Sequence, residues 1–163
     1  ADGSVAPLSD GGTVSLLAPP QGGRVIYVGV RATNVDGCGL QLKGALRDEA
    51  SGKVTVDMRT INLIPESGGW AASGTASVPV AANFANVAAC PNEWSSADVF
   101  GRSYQLEVTI QDREGRTLTK DIQVTPECSD PPGVTDCACI CKAGYVLGES
   151  CAVDAGAEAG DAQ

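Results

Sequence analysis

The chain has 163 residues, with 11 Lys and Arg, 20 Asp and Glu, no histidine and a formal charge of −9. That balance leaves no basic stripe for nucleic acid or an anionic membrane surface, and without histidine a Ser-His-Asp or Cys-His nucleophilic site is excluded. The hydrophobic fraction is 43% but aromatics are only 4%, with 20 Gly and 9 Pro, which predicts an aliphatic core, short elements and many turns.

Ala1-Asp2-Gly3-Ser4 lacks a charged n-region and an apolar h-region, so it reads as the start of a mature chain after signal removal. Residues 1–12 are expected to be a flexible lead-in. From about Val14 to Val124 the dominant period is two, the period of strands. Ile26, Val28, Val30 and Ala32 alternate with Tyr27, Gly29, Arg31 and Thr33. Leu40, Leu42, Gly44 and Leu46 alternate with Gln41, Lys43, Ala45 and Arg47. Val54, Val56 and Met58 sit between Lys53, Thr55, Asp57 and Arg59. Each run has an apolar and a polar face, as in antiparallel sheets wet on one side.

Turn-forming clusters separate the runs: Ala18–Gly23, Asn34–Gly39, Asp48–Gly52 and Pro65–Gly69. Trp70, Ala72, Gly74, Ala76 and Val78 can face one side of a fifth strand, with Trp70 capping the core. Pro79 to Arg102 is a long irregular piece, with a helical turn near Phe84–Ala89 or a small extra strand, fastened by Cys90. Trp94 beside Cys90 is either a plug over a disulfide or, if exposed, a binding patch.

Tyr104, Leu106, Val108 and Ile110 then alternate with Gln105, Glu107, Thr109 and Gln111. Asp112-Arg113-Glu114-Gly115 follows with Asp first and Gly fourth, the preference of a type I turn with a left-handed glycine. Leu118, Ile122 and Val124 return as the partner strand. Tyr104-x-Leu106-x-Val108, Asp112-x-x-Gly115 and the run to Val124 resemble the last hairpin of bacterial immunoglobulin-like and polycystic-kidney-disease-type surface domains. The resemblance covers about the final quarter of the body and implies an all-β fold: an immunoglobulin-like antiparallel β-sandwich of roughly seven strands over residues 13–127. The inter-sheet disulfide of antibody-type domains is missing. Tyr104 fits either a tyrosine corner or a plain core tyrosine.

Beyond Pro126 the pattern changes. Residues 128–152 hold Cys128, Cys137, Cys139, Cys141 and Cys151, too few residues to bury a core alone, and are expected to be a disulfide-stapled knot with little regular structure. Gly144-Tyr145 before the last cysteine is similar to the end of EGF-like modules, though the six-cysteine framework is absent. Residues 153–163 are Ala, Gly and acidic, a disordered tail by composition.

Seven cysteines without a zinc-like spacing point to an oxidising compartment and to disulfides. In an extended strand Cys137 and Cys141 share one face and Cys139 the other, which suits different partners. The pairing expected is Cys38–Cys90 with Cys128 joined to the tail cluster, or alternatively Cys90–Cys128. The odd cysteine is then free or bonded to another chain. No C-x-x-C redox motif occurs. Asp10-Gly11-Gly12 and Asn34-Val35-Asp36-Gly37 are the calcium candidates, but turn preference explains both.

The sequence therefore predicts a secreted or surface-attached bacterial module, extracellular or periplasmic, non-enzymatic and structural or adhesive, with no cofactor or metal. Its partner would be a protein or cell-surface component, not nucleic acid. The alternatives are a periplasmic metal- or redox-handling protein using the C-terminal cysteines, and a carbohydrate-binding module using Trp94.

Overall fold

The computed structural model describes residues 6–74, 80–129 and 133–151. The chain is mostly β-structure, with its disulfide-bonded cysteines concentrated towards the C-terminal region. Ala76, Val78 and the acidic tail lie outside the described residues.

The strands are β1 (Gly12–Ser15), β2 (Arg24–Val28), β3 (Arg31–Thr33), β4 (Leu40–Arg47), β5 (Val54–Ile61), β6 (Ile64–Pro65), β7 (Trp70–Ala72), β8 (Ala85–Cys90), β9 (Tyr104–Gln111) and β10 (Thr117–Glu127). Among the described residues there are two short α-helices, α1 (Val80–Asn83) before β8 and α2 (Val134–Ile140) after β10, and a 3-10 turn at Ser67–Gly69. One sheet runs in the order β1-β10-β9-β4-β5, a second pairs β2 with β8, and a third runs β3-β7-β6. Pairing in the large sheet is antiparallel except for β1, which lies parallel to β10 with Gly12 opposite Val124.

Alternation places Leu40, Leu42 and Leu46 of β4, Tyr104, Leu106 and Ile110 of β9, and Ile122 and Val124 of β10 in one core with Ile26, Val28, Ala85, Val87 and Ala89 of β2 and β8. Gly44 sits at the closest approach of the layers: a Cβ there would lie 2.7 Å from Val87 Cγ2. A larger residue would have to push the sheets apart.

The run from Ile26 to Thr33 is two strands rather than one. Gly29 is the break, where a Cβ would meet the Phe84 ring at 2.5 Å. The chain leaves the β8 pairing there and joins β7. The region around Phe84–Ala89 is a strand, β8, preceded by α1.

In β5 the faces are opposite to the alternation-based expectation. Leu40, Leu42, Gly44 and Leu46 face the core, and their partners on β5 are Ile61, Arg59, Asp57 and Thr55. Val56 and Met58 therefore stand on the outer face, 52% and 63% exposed. The register set by the Asp48–Gly52 connection overrides the apolar count, and it places Ile61, 1% exposed, on the core side opposite Leu40, where a one-residue slip of β5 would turn it outward.

The β9–β10 turn closes with the Gly115 amide donating to the Asp112 carbonyl at 3.0 Å and Gly115 at φ 81°. The Asp112 carboxylate accepts the Glu114 and Arg116 amides at 3.1 and 2.9 Å and the Arg116 guanidinium at 2.7 Å. Burial opposes its ionisation, but Arg116 and these amides outweigh burial and hold the carboxyl below the usual range.

Candidate functional site

Cys90–Cys141, Cys128–Cys137 and Cys139–Cys151 are the three disulfides, and Cys38 is a free, exposed thiol. Neither expected bond of Cys90 forms: its partner is Cys141, not Cys38 or Cys128. Cys38 lies in the 34–39 turn, where its amide donates to Asp36 Oδ1 at 3.0 Å and Arg113 packs over the neighbouring Gly39. The turn leaves the thiol exposed.

The segment 134–140 is helical, where an extended, irregular knot was expected. A helix also puts Cys137 and Cys141 on one face, four residues apart. Both are buried, at 2% and 0% exposure, and each ties that face to the body. The buried Arg24 of β2 holds the helix start, donating to Asp136 at 2.8 Å and to the Gly133 carbonyl at 3.1 Å. At the other end the Val99 amide donates to the Cys141 carbonyl at 2.9 Å, and the Ala143 amide to Asp98 Oδ1 at 2.7 Å.

The sulfurs of Cys128, Cys137 and Cys141 lie within 4.8 Å of one another. As thiolates they would be close enough to share a soft metal ion. Here they are committed to two disulfides that touch through Cys137 and Cys141 at 3.9 Å.

The loop 91–102 between β8 and β9 has little regular structure yet is held by named bonds. Asn92, 5% exposed, donates to the Ala97 carbonyl at 2.6 Å and accepts the Ser95 amide at 3.1 Å. Asp48, 2% exposed at the β4–β5 turn, reaches across to it. Its carboxylate accepts the Ser96 amide at 2.9 Å, the Ser96 hydroxyl at 3.0 Å, the Ser51 hydroxyl at 2.7 Å and the Ala50 amide at 3.1 Å. Burial works against its charge, but these donors outweigh burial and hold its carboxyl far below the usual range.

Tyr104 completes the network: its hydroxyl donates to the Asp98 carbonyl at 3.0 Å and pairs with Ser95 at 2.8 Å. Burial is the main reason its phenol is raised above the ordinary value. Sequence reading identified Tyr104 but passed over Asp48, since an Asp opening a hairpin loop is ordinary turn chemistry. The serine pair Ser95-Ser96 gives no pattern that links it to a residue 47 positions away.

Trp94 is half-buried against this network. Its ring tilts on Tyr104 at 5.4 Å between centroids, and its indole N–H donates to the Ala89 carbonyl at 2.7 Å. One side lines a shallow groove of about 410 Å³ with Val54, Val56, Ala88, Pro91 and Glu93. Trp70 is more exposed, at 37%, and the Arg31 guanidinium covers its ring at 4.3 Å while bonding Glu66 at 2.7 Å. It lies over a surface ion pair instead of capping the core.

Of the calcium candidates, Asp10 accepts the Gln123 amide at 2.8 Å, fastening the approach to β1, and Asp36 accepts the Cys38 amide. No helix among the described residues is long and apolar enough to cross a membrane. No family model, curated protein or solved structure matches the chain.

Proposed function

We propose that this chain is a non-enzymatic extracellular or periplasmic module with an immunoglobulin-like sandwich body, which spaces or presents a binding surface for a protein or cell-surface partner. The observation that carries the reading is the set of three disulfides, two of which, Cys90–Cys141 and Cys128–Cys137, fix the C-terminal segment to the β-body while Cys139–Cys151 closes the segment on itself. Bonds of this kind persist where thiols are not kept reduced. They stabilise a module mainly by restricting its unfolded chain.

Two features favour the immunoglobulin-like assignment. The order β1-β10-β9-β4-β5, with the first strand parallel to the last, faces a layer built on β2 and β8. The Tyr104 hydroxyl bonds back to a carbonyl six residues upstream, as a tyrosine corner does. With aromatics at 4% of the chain and an aliphatic core, the bonds supply rigidity that a modest core does not. A rigid module keeps its presented surface in one arrangement, which lowers the ordering cost of binding.

The test is fractionation of producing cells combined with an attachment assay. The reading predicts oxidised protein outside the cytoplasm. It also predicts that beads coated with the module retain cells of the same source above beads coated with an inert protein. Reduced protein in the cytoplasm, or no retention above the inert coating, contradicts it.

A further inference from the structure

We propose that Cys90, Cys128, Cys137 and Cys141 form a four-thiolate zinc site when their two disulfides are reduced, so that the same sulfurs clamp the C-terminal segment in either redox state. The sulfurs of Cys128, Cys137 and Cys141 already lie within 4.8 Å of one another, and Cys90 is bonded to Cys141. Among the described residues no other three cysteine or carboxylate groups converge in this way. Thiolates around a tetrahedral zinc ion, each bonded at about 2.3 Å, stand about 3.8 Å apart. The non-bonded sulfurs of Cys137 and Cys141 are 3.9 Å apart. Breaking the two disulfides moves each bonded pair outward toward the same spacing.

Helix geometry favours a shared ion over a new bond between Cys137 and Cys141. The two stand four residues apart along α2 and its C-terminal cap. Positions so spaced have Cβ atoms about 5–6 Å apart, beyond the roughly 3.5–4.5 Å that a disulfide spans. The same spacing lets two side chains ligate one ion, as the paired histidines of a helical H-E-x-x-H motif do. Cys90 ends β8 and Cys128 follows β10, so the body supplies the other two ligands from fixed positions. Cys90, Cys137 and Cys141 are buried, and four protein ligands leave no open position for a substrate, which makes the site structural. Entry is from the half-buried Cys128, beside a shallow groove of about 350 Å³ lined by Phe100, Val134 and Ala138.

Each disulfide takes two electrons from a thiol or phosphine reductant, and two protons, to give two thiols. Zinc then replaces the four thiol protons, which are released as four Zn–S bonds form. Arg24 lies opposite Cys90 in register and is bonded to Asp136, the neighbour of Cys137. It sets a buried guanidinium at the junction where the thiolate charge develops, and a nearby cation favours that charge.

The test uses the full chain in a Cys38→Ser background, reduced by a phosphine under argon. Reduced protein should bind one zinc, and cobalt in its place should give the intense visible absorption of a tetrahedral thiolate site. Oxidised protein should show no such absorption. In the zinc-loaded form, alkylation should modify Cys139 and Cys151 and spare the other four. The Cys139→Ser, Cys151→Ser variant should bind as the parent does. The Cys90→Ser, Cys141→Ser variant should bind at least about tenfold more weakly, since loss of even an outer-shell partner costs that much. This pair of variants separates the site from zinc held by an unfolded tail, which would draw on Cys139 and Cys151. Three results overturn the proposal: no zinc bound by reduced protein at about 10 μM, far above the dissociation constants of structural zinc sites; binding lost with Cys139 and Cys151; or binding unchanged without Cys90 and Cys141.

Discussion

Asp48 accepts two amides and the hydroxyls of Ser51, Ser96 and, at 3.4 Å, Ser95, and Asn in its place would answer them with a neutral, half-donor group. Asp48→Asn should lower stability by about 2–4 kcal/mol, the scale of charge-assisted bonds lost together with buried donors left short of a partner, read as a shift in the denaturation midpoint. The acid limb carries the same information. A carboxylate whose folded pKa is depressed contributes stability that is present above its unfolded value, near 4, and lost as pH falls below it. Asp48 and Asp112 are both of this kind. Melting temperature should fall below about pH 4, less steeply in Asp48→Asn than in the parent. Equal acid sensitivity in the two proteins would show that Asp48 is not the group being protonated. Tyr104→Phe removes the bond to Asp98 and should cost about 1–2 kcal/mol. Tyr104 was legible in the sequence because it opens a clean alternating strand, whereas the role of Asp48 depends on a tertiary contact with Ser96 that no local pattern encodes.

Among the elements, β4, β9 and β10 follow directly from period-two alternation, and the Asp112–Gly115 turn from its end residues. β5 does not, because its register comes from the loop that joins it to β4, and that loop sends Val56 and Met58 outward. The split at Gly29 was hidden too, since a glycine in a strand run gives no sign of the Phe84 ring packed against it. Helix α2 was illegible for another reason. Alternating cysteines read equally as strand or helix, and a helix of seven residues is stable only through what it is tied to. Cys90–Cys141 closes 51 residues and Cys139–Cys151 closes 12. By loop entropy the first contributes about 4 kcal/mol and the second about 3 kcal/mol. Replacing Cys90 and Cys141 together by Ser should therefore destabilise the whole body, with one cooperative transition at a lower denaturant midpoint. Replacing Cys139 and Cys151 should loosen residues 142–151 first, seen as proteolytic cleavage there while the core strands keep their amide protection. Core exchange that rises in step with that cleavage would contradict this division.

At the scale of the whole molecule, an aliphatic core lies between the large sheet and the β2–β8 pair, and the C-terminal segment is clamped to this body by Arg24, Asp98 and the disulfides Cys90–Cys141 and Cys128–Cys137. The low aromatic content and the cysteine count together indicated a stapled β-body, and the three described bonds agree with that coarse reading. The link from Cys128 into the tail cluster was legible and is formed as Cys128–Cys137; the partner of Cys90 was not, because it depends on which segments come together in space: Cys38 stays exposed in its own turn while the end of α2 brings Cys141 to Cys90. The central claim is that this clamp is covalent, and a disulfide map tests it most directly. Protein isolated without reductant, alkylated under denaturing conditions and digested should yield peptides joined through Cys90–Cys141, Cys128–Cys137 and Cys139–Cys151, with Cys38 alone alkylated. Three or more alkylated cysteines, with stoichiometric metal in the native protein, would contradict the account.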